Sequence, residues 1–295
     1  MSALDTDAAY DVVVAGGGVA GLTAATYTAR ADFRTLVVTG GESILRRNAH
    51  LENVPGFPAG VNPRLFADML REQAERNGAT LESGRVTDVD GDVEDGFSVA
   101  VTDDSGGPKS VTTARVVAAS WSDADYLDGL GVEIRDAGSK RYVDADDHGR
   151  TSVDGVYVAG RLAEEYHQAV VAAGHGADAA ITLIHDSDVP FYHDWVVPEG
   201  YFSDRGRDVP PGCEEIGPAE QARRQRESRE TMRSFFAEPH GDRQRTHPSL
   251  VDDDRGRLDD WTAAADSGDA RDAGSDDSDT GTGADADAAS GDGAD

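Results

Sequence analysis

The chain has 295 residues, enough for one large domain or two small ones. Its 57 Asp and Glu against 27 Lys and Arg give a formal net charge of −30. The last 44 residues hold fifteen Asp and three Arg, so most of the excess lies elsewhere and the acidity is general. Lys109 and Lys140 are the only lysines. High Asp with scarce Lys is the bias of proteins from salt-accumulating microbes, halophilic archaea included, whose acidic surfaces keep them dissolved in concentrated salt. Such a surface repels nucleic acid and anionic membrane, so neither is expected as a partner. Cys213 is the single cysteine, which permits no intrachain disulfide and suits a reducing cytosol. No secretory signal pattern occurs, and no apolar run nears the roughly 20 residues that span a bilayer. A cytoplasmic protein is expected.

Residues 1–9 read as a loose leader. Val12–Ala15 is an apolar, β-branched run suited to a buried parallel strand. Leu22–Ala31 is alanine-rich and suits a helix packed tightly on a sheet. Thr35–Gly41 predicts a second strand that ends in a glycine turn. In 62–78, Leu65, Phe66, Met69 and Leu70 fall at helical spacing, and Gly78 can end the helix. Residues 80–118 alternate in short segments punctuated by Gly and Asp, which predicts a strand feeding a small antiparallel meander. Residues 154–184 repeat the strand, turn and helix order. Residues 190–216 are rich in Pro, Gly and aromatics and are expected to drape over a surface. A charged helix is predicted at about 218–237, opening at Pro218. From 251 to 295 almost nothing can be buried, and a disordered acidic tail is expected.

Gly16, Gly18 and Gly21 form G-x-G-x-x-G between a strand and a helix, the context in which that spacing binds a dinucleotide. Gly16 allows the tight turn, Gly18 lets the backbone approach a pyrophosphate, and Gly21 lets helix and strand pack closely. The helix start, Val19 and Ala20, offers free N–H groups and positive dipole to phosphate. The second strand ends in Thr39, with Glu42 beyond it, where an NAD-binding domain carries an acid for the ribose.

Several segments, in order, resemble the low-molecular-weight thioredoxin reductases, FAD-dependent members of the pyridine nucleotide-disulfide oxidoreductase superfamily. They are "DVVVAGGGVAGLTAATYTAR", "TLVVTGG", "LENVPGF" at Leu51–Phe57, "NPRLFADMLREQAERNGA", "GRTSVDGVYVAGR" at Gly149–Arg161, and "YHQAVVAAGHGADAA" at Tyr166–Ala180. The resemblance implies an α/β, Rossmann-like FAD-binding domain of three layers, a parallel sheet with an antiparallel β-meander. The domain would occupy 8–186 in two segments, 8–121 and 141–186. An extension, 187–250, and the tail would follow. It implies FAD, with Gly16, Gly18, Val19, Ala20 and Gly21 at the pyrophosphate, Thr39 at the second strand, and Val86 near the adenine. Asn53, Gln168 and Ala169 would adjoin the flavin, and Gly160 and Arg161 would close the second motif. "RRNA", with Arg47 and Asn48, is similar to an element of one family branch that faces the flavin. Family members commonly form homodimers.

The departures bear on function. The family inserts a nicotinamide-binding domain between its two FAD segments; here only about 30 residues separate Ala118 from Thr151, too few for such a domain. The redox C-x-x-C is absent, since disulfide exchange needs an attacking and a resolving thiol and Cys213 is alone. "AASW", Ala118–Trp121, stands in place of the family's A-T-G turn. Arg161 stands in place of the Asp that ends the second motif; it either makes a charge-assisted contact to pyrophosphate or marks decayed binding. The reading is an FAD-dependent oxidoreductase without thioredoxin reductase activity, its donor a redox partner protein or free NAD(P)H. The alternatives are a non-enzymatic flavin-bound sensor or partner subunit and, more remotely, an enzyme similar to thiamine thiazole synthase. The extension would cover the flavin face left bare, or dock a partner.

His167 is the one catalytic candidate, able to relay a proton beside the flavin or simply to sit at a helix start. His50 adjoins "RRNA" and reads as a loop histidine. No metal site is expected: His185, His193, Asp186, Asp188 and Asp194 match no familiar ligand spacing. Cys213 sits beside two acids that oppose thiolate formation. Tyr192, Trp195, Tyr201 and Phe202 either stack on a flavin or anchor a loop. The Arg-rich 219–233 segment interleaves Glu and reads as a solvated face.

Overall fold

A computed structural model describes residues 9–103, 107–138, 140–189 and 192–242. The leader and the acidic tail expected at the two ends therefore lie outside the described residues, apart from Ala9. Strand β1 (Ala9–Ala15) runs parallel to β2 (Thr35–Thr39) on one side and to β5 (Pro108–Ala118) on the other. β2 continues to β3 (Thr80–Asp92), and β5 to β8 (Val156–Val158), both parallel. β3 and β5 outrun this sheet. Their free halves pair antiparallel with β4 (Gly96–Asp103), which closes a meander over one face.

Alternation along β1 assigns the two faces. Val12 and Val14 point to helices α1 (Val19–Arg30), α2 (Pro63–Arg76) and α3 (Ala169–His185), joining Leu22, Ala25, Ala74, Ala179 and Leu183. Val13 and Ala15 point the other way, into Val86, Phe97, Val99 and Val111 of the meander. Both faces are buried, which is why the strand reads as an unbroken apolar run. The architecture is the three-layer α/β, Rossmann-like arrangement expected from the sequence.

Several boundaries move. α1 starts at Val19 and not Leu22, because Gly18 already takes an extended N-cap conformation and Gly21 is accommodated inside the helix. β2 stops at Thr39, before the glycine pair. A short hairpin, β6 (Ile134–Ala137) with β7 (Lys140–Val143), occupies the β5–β8 connection. Within the segment expected to drape, described residues 192–216 hold two strands: β9 (Trp195–Pro198) and β10 (Cys213–Ile216) form a two-stranded parallel pair. The predicted charged helix is α4, Pro218–Phe235.

Candidate functional site

The C-terminal ends of the parallel strands, where ligands bind in open α/β sheets, open into a cleft of about 860 Å³. Its walls are the turn after β1, the loop after β2, the β3 segment at Arg85 and Val86, the loop after β5, and the start of α3.

The glycines of the turn divide by what a side chain there would meet. Gly16 is at φ +123°, and a Cβ on it would lie 2.4 Å from the Ala119 carbonyl oxygen. On Gly17 a Cβ would lie 2.2 Å from Thr39 Oγ1. Gly21 is shut in, its Cβ position 1.9 Å from the Gly16 carbonyl oxygen. Gly18 alone opens to the cleft: the nearest atom to a Cβ there is Ser43 Oγ at 3.9 Å. α1 begins at Gly18 with no side-chain cap, so its first-turn N–H groups face the cleft end unclaimed by any side chain. Beside them Thr39 Oγ1 is buried without a hydrogen-bond partner. A bare glycine, an uncapped helix start and an orphaned hydroxyl fit a phosphate- and ribose-bearing ligand.

The opposite wall rests on α3. His175 Nδ1 accepts a hydrogen bond from the Gly160 N–H at 3.0 Å, so the ring carries its proton on Nε2. Burial holds the His175 pKa below the ordinary imidazole value. A Cβ on Gly176 would sit 2.2 Å from the Ala20 carbonyl oxygen, which lets α3 press on α1. Gly160 itself, at φ +71°, packs against Ala20 Cβ and does not line the cleft. Gln168 and Ala169 do line it, and Gln168 Oε1 accepts from Asn53 Nδ2 at 2.7 Å; Asn53 is exposed and outside the lining.

Arg161 reaches the cleft wall, but its guanidinium is largely engaged. Nη1 donates to the Glu164 and Glu165 carbonyls at 3.1 and 3.0 Å, Nη2 donates to Tyr142 Oη at 2.5 Å, and Nε is buried without a partner. His167 also lines the cleft and packs against Trp121, ring centroids 4.7 Å apart. Desolvation, then the positive charges of Arg161 and Lys140, lowers its pKa.

Of "RRNA", Arg47 and Asn48 line the cleft, whereas Arg46 turns to Asp68 and Asp242. The loop is held by a residue the sequence reading passed over. Arg64, 6% exposed on α2, donates to the backbone carbonyls of Arg46 and Asn48 at 3.2 and 3.3 Å. Gly17, Ser43, Arg85, Asp123, Tyr126 and Tyr166 are further lining residues that were not singled out. Arg85 pairs with Asp123, which also lines the cleft. Its position beside Val86 was the one available signal.

Nothing C-terminal of Ala172 lines the cleft among the described residues. The described residues of the extension, expected to cover the flavin face or dock a partner, are therefore not part of the cleft wall. They lie instead on the flank of α1 and α2, through Arg30–Asp194, Arg76–Glu227, His240–Asp68 and Phe57–Phe236. Trp195, Tyr201 and Phe202 pack on one another with Trp195 exposed, Tyr192 is buried, and none of the four lines the cleft. His50 pairs with Glu52, Asp186 with Arg150 and Tyr157, and Asp194 with Arg30. No group of three or more His, Cys, Asp or Glu among the described residues is placed to hold a metal ion. No described helix is long and apolar enough to cross a membrane.

Fold and cleft together define a Rossmann-type nucleotide-binding protein. A family model described as an FAD binding domain matches residues 11–46. The chain is 37% identical over 139 residues to the thioredoxin reductase of Streptomyces clavuligerus, covering 45% of this chain and 40% of that protein. To that of Aquifex aeolicus it is 38% identical over 97 residues, 32% and 30% of the two chains. Among solved structures, a thioredoxin reductase from Gloeobacter violaceus superposes with TM-score 0.54 at 18% identity, over 60% of this chain and 95% of that one. The Lactococcus lactis thioredoxin reductase gives 0.53 at 16%, over 60% and 98%. Over part of its length the chain is thus similar to the thioredoxin reductases, and the matched FAD binding domain indicates FAD as its cofactor. Its matches span well under half the length of these curated relatives.

Proposed function

We propose that the chain is a flavin-dependent oxidoreductase that has no thioredoxin reductase activity and takes its electrons from a free nicotinamide cofactor or a redox partner protein. One observation carries this reading. Between the end of β5 at Ala118 and the start of β8 at Val156, the described residues hold only a 3-10 turn and the β6–β7 hairpin. That connection has no room for a second nucleotide-binding unit. The thiol inventory agrees: Cys213 is on β10, outside the cleft lining, and burial with the nearby Asp194 raises its pKa.

When bound, FAD supplies the hydride or electron transfer, and the protein supplies binding and electrostatics. In this reading Gly16–Gly18 and the α1 start hold the pyrophosphate, and Thr39 Oγ1 bonds a ribose or phosphate oxygen. Val86 packs on the adenine. Gln168, oriented by Asn53, meets the flavin edge with the N-terminus of α3. Arg47 and Asn48 face the same space. His167, held neutral, is placed to hold or pass a proton at the ring edge. Gly21 and Gly160 act behind the walls, in helix packing. Arg161 is assigned to fixing the loop before α3, since three of its N–H groups are already taken.

The test is an absorption spectrum of the full chain in high salt, after reconstitution with FAD, before and after anaerobic NADH or NADPH, beside a thioredoxin-disulfide reduction assay. Flavin bands that bleach with nicotinamide, without reduction of thioredoxin, are expected for a free donor. Bands that persist point to a partner protein as donor. Turnover of thioredoxin disulfide, or no flavin uptake at all, overturns the reading.

A further inference from the structure

The loop after β5 carries a residue with an unfavourable backbone. Trp121 is at φ +66°, one of three non-glycine residues in the left-handed region among the described residues. That conformation suits glycine; on a bulky side chain it is a strain that persists only where the surroundings over-determine it. The indole is half-buried and lines the cleft. The loop is fixed at its root. Ala119 N–H bonds the Ala15 carbonyl at 2.9 Å, and the Ala119 carbonyl lies against Gly16. It is fixed beyond Trp121 as well, where Ser120 Oγ bonds the Asp123 carbonyl at 2.6 Å and Tyr126 Oη at 2.8 Å. Trp121 is thereby held beside the glycine turn.

From the facing wall His167 meets it, the two rings 4.7 Å apart and inclined at 49°. These residues come from the two sequence segments that build the domain, and both line the cleft. Core packing does not explain the strain. Trp121 belongs to none of the buried clusters, and its ring partner is an exposed histidine.

We propose that Trp121 is a cofactor-retaining residue: with His167 it closes over bound FAD where the cleft passes the glycine turn. The ligand it takes is the flavin dinucleotide itself, by ring contact and exclusion of water from the pyrophosphate region. This rests on the assignment of the cleft to FAD. Backbone strain is then the cost of placing an indole where a glycine would sit relaxed.

The test uses the full chain in high salt, as wild type, Trp121→Gly, Trp121→Phe and His167→Ala. Three quantities are read: the melting temperature of the FAD-free protein, the FAD dissociation constant, and the rate of FAD release on dilution. Trp121→Gly is expected to melt at or above wild type without FAD, since it removes the left-handed strain. The same variant is expected to bind FAD about tenfold or more weakly and release it correspondingly faster. Trp121→Phe keeps a ring and should fall between. His167→Ala should weaken retention in the same direction. FAD should also quench tryptophan emission of the wild type more than of Trp121→Phe, the remaining tryptophans being Trp195 and Trp261. A Trp121→Gly chain that melts lower without FAD yet binds it as tightly as wild type overturns the proposal and leaves the cofactor assignment standing. Failure of the wild type itself to take up FAD overturns both.

Discussion

Alanine at Gly18 and alanine at Gly21 should have opposite consequences, although both glycines belong to one motif. Gly18 is at φ −84° and ψ −171°, a conformation any residue adopts, and its Cβ position is open out to Ser43 Oγ at 3.9 Å. In the FAD-free fold Gly18→Ala meets two small opposing effects. Lost freedom of the unfolded chain favours it by about 0.4–1 kcal/mol, while alanine is the poorer N-cap. The net change should stay within about 1 kcal/mol. The methyl group, however, projects where backbone N–H groups must approach a phosphate. Loss of one charge-assisted hydrogen bond costs about 1.5–3 kcal/mol, or roughly 10- to 150-fold in affinity. Gly21→Ala has no such space, with its Cβ 1.9 Å from the Gly16 backbone oxygen. Overpacking of about 1–3 kcal/mol is expected, and a domain of this size loses about 2–4 °C of melting temperature per kcal/mol. Thermal melts of the FAD-free variants and FAD titrations followed by flavin fluorescence separate the two. The reasoning fails if Gly18→Ala binds FAD like wild type, or if Gly21→Ala melts with wild type while Gly18→Ala does not.

His175 supplies a pH dependence with a definite sign. Burial depresses its folded pKa below the ordinary 6.5, so the unfolded chain takes up the proton first as pH falls. Stability is full above about pH 6.5 and is lost as pH falls toward and through the folded value; His175→Asn, which keeps an acceptor for Gly160 N–H, should flatten that slope in melts between pH 5 and 7. Arg64→Met removes the guanidinium that fixes the Arg46 and Asn48 carbonyls, and should cost about 1–3 kcal/mol of stability together with FAD affinity. An unchanged FAD dissociation constant would show that this loop takes no part in binding. Cys213→Ser should leave the flavin spectrum and its reduction unchanged, and alkylation of the native thiol should be slower than that of the unfolded chain at the same pH, because the folded pKa is raised.

How much of this was legible in the sequence depended on whether the signal was local. β1, α1 and the turn between them were readable because buried parallel strands leave unbroken apolar runs and the glycine spacing reports a tight turn. The meander was readable because its strands alternate over many residues. β6, β7, β9 and β10 are four residues each, too short for a period of two to stand out. In the cleft the same division holds. Thr39, Val86, Gln168 and Ala169 are at the ends of recognisable elements. Gly17 faces Thr39 only because β1 and β2 are in register, and Arg64 supports its loop across 16–18 residues of chain. Such contacts have no sequence periodicity. Gly21 and Gly160 belong to ligand-binding motifs, yet both are buried behind the lining, because a motif records the packing that a site needs as well as the contacts it makes.

The extension shows how salt should redistribute the work of holding the fold together. Its polar ties to the domain, Arg30–Asp194, Arg76–Glu227, Arg46–Asp242 and His240–Asp68, involve partly exposed side chains. Such pairs contribute about 0–1 kcal/mol each at low ionic strength, and at about 1 M salt the screening length shrinks to about 3 Å. Its apolar tie behaves differently. Phe235 packs against the cluster of Val19, Leu45, Leu51 and Leu65, and Phe236 meets Phe57 at 6.4 Å between centroids. Excluded salts strengthen burial of that kind. In the concentrated salt that a charge of −30 suits, the two phenylalanines should therefore carry the attachment. Limited proteolysis across a salt series tests this. Asp194→Asn should speed cleavage of the extension only in dilute buffer, whereas Phe235→Ala should speed it at every salt concentration. If Phe235→Ala matters only at low salt, or Asp194→Asn matters equally at high salt, the attachment is electrostatic and the ranking is wrong. The cluster that receives Phe235 also contains Leu45, which flanks Arg47 in the cleft wall. Loosening the extension should therefore weaken FAD binding as well, although no described residue of the extension lines the cleft.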